Sequence, residues 1–151
     1  MALLAAFFGL VSTATFAVAE LFYFATLPIL NAAYLKTFSP DQVNALARLS
    51  LTLYGYCGGV FMVFYGVASI LRGYLIFQSG YLPKFLGILL LLAGAGFVVR
   101  SFVFVLAPAY ASDFFLLSMP LAVLALILWL FVKGVNIAKW EEKAGVSNAQ
   151  I

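Results

Sequence analysis

Two ionisable residues interrupt long apolar runs of this chain: Glu20, between Ala19 and Leu21, and Arg100, between Val99 and Ser101. A charge at the centre of a bilayer costs about 2.5–3.5 kcal/mol on insertion scales, so such a residue is paired, placed near an interface, or used. Arg100 lies 16 residues past Lys84, which is about 24 Å along a helix. Glu20 is equally deep if its segment starts near Met1. Both then fall in the outer half of a membrane, where Arg48, Thr52 and Tyr54 of the second helix also fall, with Ser101 beside Arg100. Two chemistries suit that set. One is a polar ligand or ion site, in which Glu20 and Arg100 pair and Thr52, Tyr54, Tyr56 and Ser101 supply hydrogen bonds. The other is structural: a buried ion pair, or both side chains snorkelling to the headgroups.

Other chemistries are excluded by residue type. The chain has no His, so bis-His haem, His-based zinc and Ser-His-Asp or Cys-His catalysis are closed to it acting alone. The lone Cys57 cannot form an internal disulfide or a thiolate cluster, and its neighbours suit a small buried residue at a helix contact. No metal or cofactor is therefore expected to be held by this chain alone. The 16 Phe and 8 Tyr leave room for a bound lipid or pigment.

The elements that must position these residues follow from composition. Of 151 residues, 66% are hydrophobic and 9% charged, against about a quarter charged in soluble domains. That excludes a soluble domain, a disordered tail and a nucleic-acid-binding module. Four stretches, the first interrupted by Glu20 and the third by Arg100, meet the need for about 20 apolar residues per crossing. They are apolar all round, unlike the alternating strands of a membrane barrel. The reading is an all-α integral membrane bundle of four transmembrane helices, at about 2–30, 40–77, 83–106 and 114–135. These make one domain over 1–143, followed by a polar tail at 144–151. Ser39-Pro40-Asp41-Gln42 predicts a capped helix start. Gln78-Ser79-Gly80 predicts a turn, and Pro28 is expected to break the first helix. Ala17-Val18-Ala19 resembles a signal-peptidase site, but no Lys or Arg precedes it, so the segment is expected to remain as a helix.

Basic residues set the orientation. Arg72 and Lys84, read as lying between the second and third helices, share a side with Lys133, Lys139, Lys143 and the N-terminus, whereas Lys36 and Arg48 lie opposite. The positive-inside rule then predicts N-in/C-in topology, with Trp129, Trp140, Tyr74 and Tyr81 as an aromatic belt. Packing between membrane helices relies on small residues that let backbones approach. The second helix has such a stripe in Gly55, Gly59, Met62, Gly66, Ser69 and Gly73, and the third has Gly87, Gly94 and Ser101. The spacing predicts a tightly packed antiparallel pair.

Two longer motifs carry a family likeness. One is Gly73-Tyr74-Leu75-Ile76-Phe77-Gln78-Ser79-Gly80-Tyr81-Leu82-Pro83-Lys84, followed by Gly87. The other is Leu128-Trp129-Leu130-Phe131-Val132-Lys133-Gly134-Val135-Asn136, followed by Lys139-Trp140-Glu141. With Ala2 to Phe8 and Phe38-Ser39-Pro40 to Gln42, the chain resembles a bacterial multi-pass family known as domain of unknown function 4386. The resemblance implies the last four of six crossings. It also implies Arg at the position of Gly9, an acidic residue and a His around Thr52 and Tyr54, and Asp where Arg100 stands. Those departures, the glycine stripe and the helix pair that a partner could replace lead to the functional expectation. The chain is expected to be a non-catalytic accessory or structural subunit of a bacterial inner-membrane complex, or a homo-oligomer. Its partners would be the lipid bilayer and other membrane subunits or itself, with no nucleic acid. The alternative is a small transporter or proton-coupled carrier using the Glu20–Arg100 pair. A membrane enzyme on a lipid or quinone comes third, lacking His and paired carboxylates.

Overall fold

The computed structural model describes residues 1–31, 37–110, 112 and 114–144, without the side chains of Phe115, Trp140 and 142–144. The expectations for Lys36 and for the tail beyond 144, and for the side chains of Trp140 and Lys143, lie outside the described residues. The described chain is helical, with no strand among the described residues. Its elements are α1 (Ala2–Asn31), α2 (Pro40–Ser79), α3 (Lys84–Leu106), a 3₁₀ turn (Pro108–Tyr110), α4 (Phe114–Val132) and α5 (Ile137–Ala144).

Helix ends follow local chemistry. Ser39 caps α2 through the expected reciprocal box: its hydroxyl accepts from the Gln42 N–H at 3.3 Å, and the Gln42 side chain accepts from the Ser39 N–H at 2.9 Å. Pro40 occupies the first turn, where its missing N–H costs nothing. Gly80 ends α2 with φ +72°, and Gly134 takes φ +65° just past α4, a left-handed cap that favours glycine. The N–H groups of Lys133 and Gly134 both donate to the Trp129 carbonyl, so α4 stops at Val132 rather than at the expected 135. Asn136 then starts α5, an element the sequence reading did not assign, its side chain accepting from the Lys139 N–H.

Pro28 does not break α1, contrary to expectation: the helix continues to Asn31. The proline removes one N–H from the ladder, a loss that membrane helices tolerate where nearby side chains re-satisfy the backbone. Side chains supplement the last turns, with Thr26 donating to the Phe22 carbonyl and Asn31 to that of Leu27. Arg72, assigned from sequence to a turn, instead lies inside α2, where the helix runs two further turns to Ser79.

Three helices, α1, α2 and α3, are each long and apolar enough to cross a membrane. The 19 residues of α4 span about 28 Å, close to a hydrocarbon core of about 30 Å. Pro120 sits inside α4, as membrane helices tolerate. Close backbone packing joins helices that are successive in sequence: α1 with α2, α2 with α3, and α3 with α4. Small Ala5, Ser12, Ala19, Ala47, Ala68 and Ser69 are buried together with Leu86, Leu90, Phe97 and Met119, while large Leu3, Phe7, Leu10, Leu92 and Phe131 are exposed. Water would not tolerate that distribution, but lipid does.

The α2–α3 seam is the tightest contact. A side-chain carbon on Gly94 would lie 2.6 Å from the Gly66 carbonyl oxygen, and one on Gly66 2.7 Å from that of Gly94. Gly73 and Gly87 repeat the arrangement at 2.6 and 2.7 Å. Seven residues outward, Ser101 donates to the Gly59 carbonyl at 3.0 Å. The antiparallel pairs thus recur at seven-residue steps on both helices. Ser69, the other small residue of the stripe, is buried. Gly55 departs from expectation, since nothing stands within 4 Å of where its side chain would be. There α3 presents Arg100 and Phe104 in place of a small residue, and a groove opens.

Gly94→Ala and Gly87→Ala are therefore expected to force α2 and α3 apart and to destabilise the fold by about 1–3 kcal/mol, the usual range for overpacking. Gly55→Ala and Gly58→Ala, which meet open space, should leave stability within about 0.5 kcal/mol. Thermal unfolding of the four variants in one mild detergent checks the contrast.

Candidate functional site

The groove beside Gly55 gathers part of the polar set anticipated from sequence. Gly55, Gly58 and Gly59 of α2 form its floor, Phe16 of α1 one wall, and Arg100 and Phe104 of α3 the other, enclosing about 200 Å³ with Tyr54, Phe61 and Met62. Ser101 is what turns Arg100 into it. Its buried hydroxyl is held by the Gly59 carbonyl, which sets the rotation of α3, and the adjacent side chain then faces the groove. The Arg100 side chain is half-buried, donates from Nη1 to the Met62 sulfur at 3.5 Å and lies 5.8 Å from the centre of the Phe104 ring. A thioether and a ring face are soft, polarisable neighbours that favour a cation so placed.

The rest of the expected set is dispersed. Glu20 is half-buried on α1, beside the fully buried Ala19, and does not line the groove. Among the described residues no ion pair or hydrogen bond joins Glu20 to Arg100, whose guanidinium is turned toward Met62 and Phe104 instead. Thr52 is exposed and its hydroxyl is spent on the Arg48 carbonyl at 2.9 Å. Tyr54 lines the groove with its ring 5.4 Å from that of Tyr23. Tyr56 is exposed, 6.2 Å from the Phe104 ring. Arg100 and Tyr54 are thus brought together, Ser101 serves the helix seam, and Glu20 and Thr52 stand apart.

Sequence reasoning missed two features of α1. Its buried residues Ala5, Ser12 and Ala19 recur at seven-residue steps, a signal present in the sequence but hidden in a run rich in alanine. Gly9 is buried between them, and the Arg72 guanidinium occupies the place its side chain would take. The α1–α2 contact is completed by Ser50 donating to the Phe22 carbonyl at 2.6 Å and by Phe16 against Phe61 at 5.0 Å.

At the opposite end, the two long motifs meet. The Asn136 N–H donates to the Tyr81 carbonyl at 3.0 Å, tying the turn after α4 to the turn between α2 and α3. Phe85 stacks edge-on against Trp129 at 5.8 Å. Lys133 Nζ lies 4.9 Å over the Trp129 ring and Lys84 Nζ 5.4 Å over that of Phe77.

Long apolar helices, small residues at their contacts, and aromatic and basic side chains gathered at one end define a multi-pass α-helical membrane protein. Residues 1–134 match the family described as "Domain of unknown function (DUF4386)", and the chain belongs to that family. It is also similar to an uncharacterized protein of Archaeoglobus fulgidus, 40% identical over 37 residues. That stretch covers 24% of this chain and 23% of the archaeal protein, so the likeness spans under a quarter of either. No solved structure matches.

Two substitutions separate the roles assigned here. Ser101→Ala removes the inter-helical hydrogen bond and is expected to lower stability by about 0.5–1.5 kcal/mol. Glu20→Gln, which breaks no contact to Arg100, should leave unfolding in detergent within about 0.5 kcal/mol of the parent.

Proposed function

We propose that this chain is a non-catalytic membrane protein that works as a structural or accessory subunit, assembling with other membrane helices of a bacterial inner-membrane complex or with copies of itself. The observation that carries the reading is the unused small-residue face of α1. Ala6, Thr13 and Ala17, spaced like a helix-contact stripe around Leu10, are exposed, whereas comparable stripes on α1 and α2 are buried against a neighbour. They lie roughly a third of a turn around α1 from Ala5, Ser12 and Ala19. Because lipid tails are as apolar as leucine, such a face gains little from lipid and gains dispersion and close backbone contact from another helix. Among the described residues nothing covers Ala6, Thr13 and Ala17, which leaves that side of α1 open to a partner.

A carrier working through a Glu20–Arg100 pair draws no support from the structure, since among the described residues no contact joins the two. Orientation rests on charge: the cluster at Lys84, Lys133 and Lys139 suits the cytoplasmic side, with both termini inside. Ser39→Cys and Val135→Cys, each introduced singly into a Cys57→Ala background, test this. A membrane-impermeant thiol reagent added to intact cells is expected to label the Ser39→Cys protein and to leave the Val135→Cys protein unlabelled.

The assembly reading predicts that the protein extracted in mild detergent has a mass well above its own 16.4 kDa after detergent is subtracted. Ala17→Leu with Thr13→Leu should release a folded chain of monomer mass. A monodisperse monomer for the parent protein would overturn the reading.

A further inference from the structure

We propose that the basic end of the bundle carries a binding site for the phosphate-bearing headgroup of an anionic phospholipid. This goes beyond the assembly reading and does not depend on it. Three lysines from separate elements converge there: Lys84 at the start of α3, Lys133 just after α4, and Lys139 on α5. All three line one hollow of about 480 Å³. Lys84 and Lys139 also line an adjoining hollow of about 530 Å³, walled by Tyr74 and Phe77. These volumes are in the range of small-molecule sites. Among the described residues no Asp or Glu lines either hollow. Among the described residues no ion pair neutralises any of the three lysines. Like charges held together repel, and an anion seated between them removes that cost.

The lysines are held in place. The Trp129 and Phe77 rings lie beneath Lys133 and Lys84. The stem of Lys139 crosses Gly80, with Cδ 4.0 Å from where a side chain would begin. The hydrogen bond from Asn136 to Tyr81 joins the two walls. A lipid phosphate fits better than a soluble one because of what lies next to the hollows. Exposed Phe85, Ile88 and Leu92 run up α3 from Lys84, an apolar track where acyl chains can lie while the headgroup meets the lysines. Basic pockets at the membrane surface recognise anionic headgroups in this way, each lysine adding to the attraction.

The test uses the full chain in a neutral detergent, with lipid retention read by native mass spectrometry and stability by thermal unfolding. Added phosphatidylglycerol is expected to stay bound and to raise the unfolding temperature, and phosphatidylcholine to do neither. Lys133→Gln with Lys139→Gln should weaken retention of phosphatidylglycerol about tenfold or more. Lys133→Arg with Lys139→Arg should keep it, as should Arg48→Gln at the far end. Equal retention of the two lipids by the parent protein would overturn the proposal, and that comparison needs no variant. Undiminished retention by the Gln pair would overturn it as well. Stabilisation by millimolar sodium phosphate equal to that by the lipid would also overturn it, assigning the lysines to a soluble phosphate.

Discussion

The approach of α2 and α3 to backbone contact is the constraint on which the rest of this structure depends. At Gly66–Gly94 and Gly73–Gly87 each helix presses a carbonyl oxygen toward the α-carbon of the other, leaving no space for even one methyl group. Between lipid-facing helices little hydrophobic force is available, so cohesion comes from dispersion, weak Cα–H···O contacts and a few true hydrogen bonds. All three improve steeply as backbones close. The Ser101–Gly59 hydrogen bond continues the same register one step outward. Once two such pairs are seated, neither sliding nor rotation of α3 is possible without collision.

Both polar regions inherit their geometry from that lock. At the outer end, α3 carries Arg100 and Phe104 where a glycine would have prolonged the seam, and the pair opens into the groove over Gly55 and Gly58. At the basic end, the short turn that the seam allows between Ser79 and Lys84 brings Tyr81 to the backbone of Asn136. Lys84 is thereby set beside two lysines far away in the chain. Aromatic rings beneath two of those ammonium groups fix their level, as expected where a helix bundle emerges into headgroups.

Much of the fold was legible because the bilayer imposes a simple rule: a segment that cannot meet water must satisfy its own backbone. Span positions, the Ser39 capping box and the α2–α3 pairing all follow from residue type and spacing. The outer site was less legible. Glu20 and Arg100 were joined on depth alone, and depth says nothing about which helix stands between them. The buried alanines of α1 were equally obscure, because alanine is at home on either side of a lipid-facing helix.

By itself the sequence determined that this is a helical membrane protein, that Ser39 caps α2 and Gly80 ends it, and that glycines would bring two of its helices together. Those properties depend on neighbours within a few residues or on a periodicity that one helix displays alone. Tertiary structure decided that Gly55 faces a groove rather than a partner, that Arg72 lies against Gly9, that Glu20 and Arg100 are apart, and that three lysines share one hollow. Each of these depends on the relative rotation of helices distant along the chain. That rotation is set by steric fit at the seam, a quantity no single segment contains.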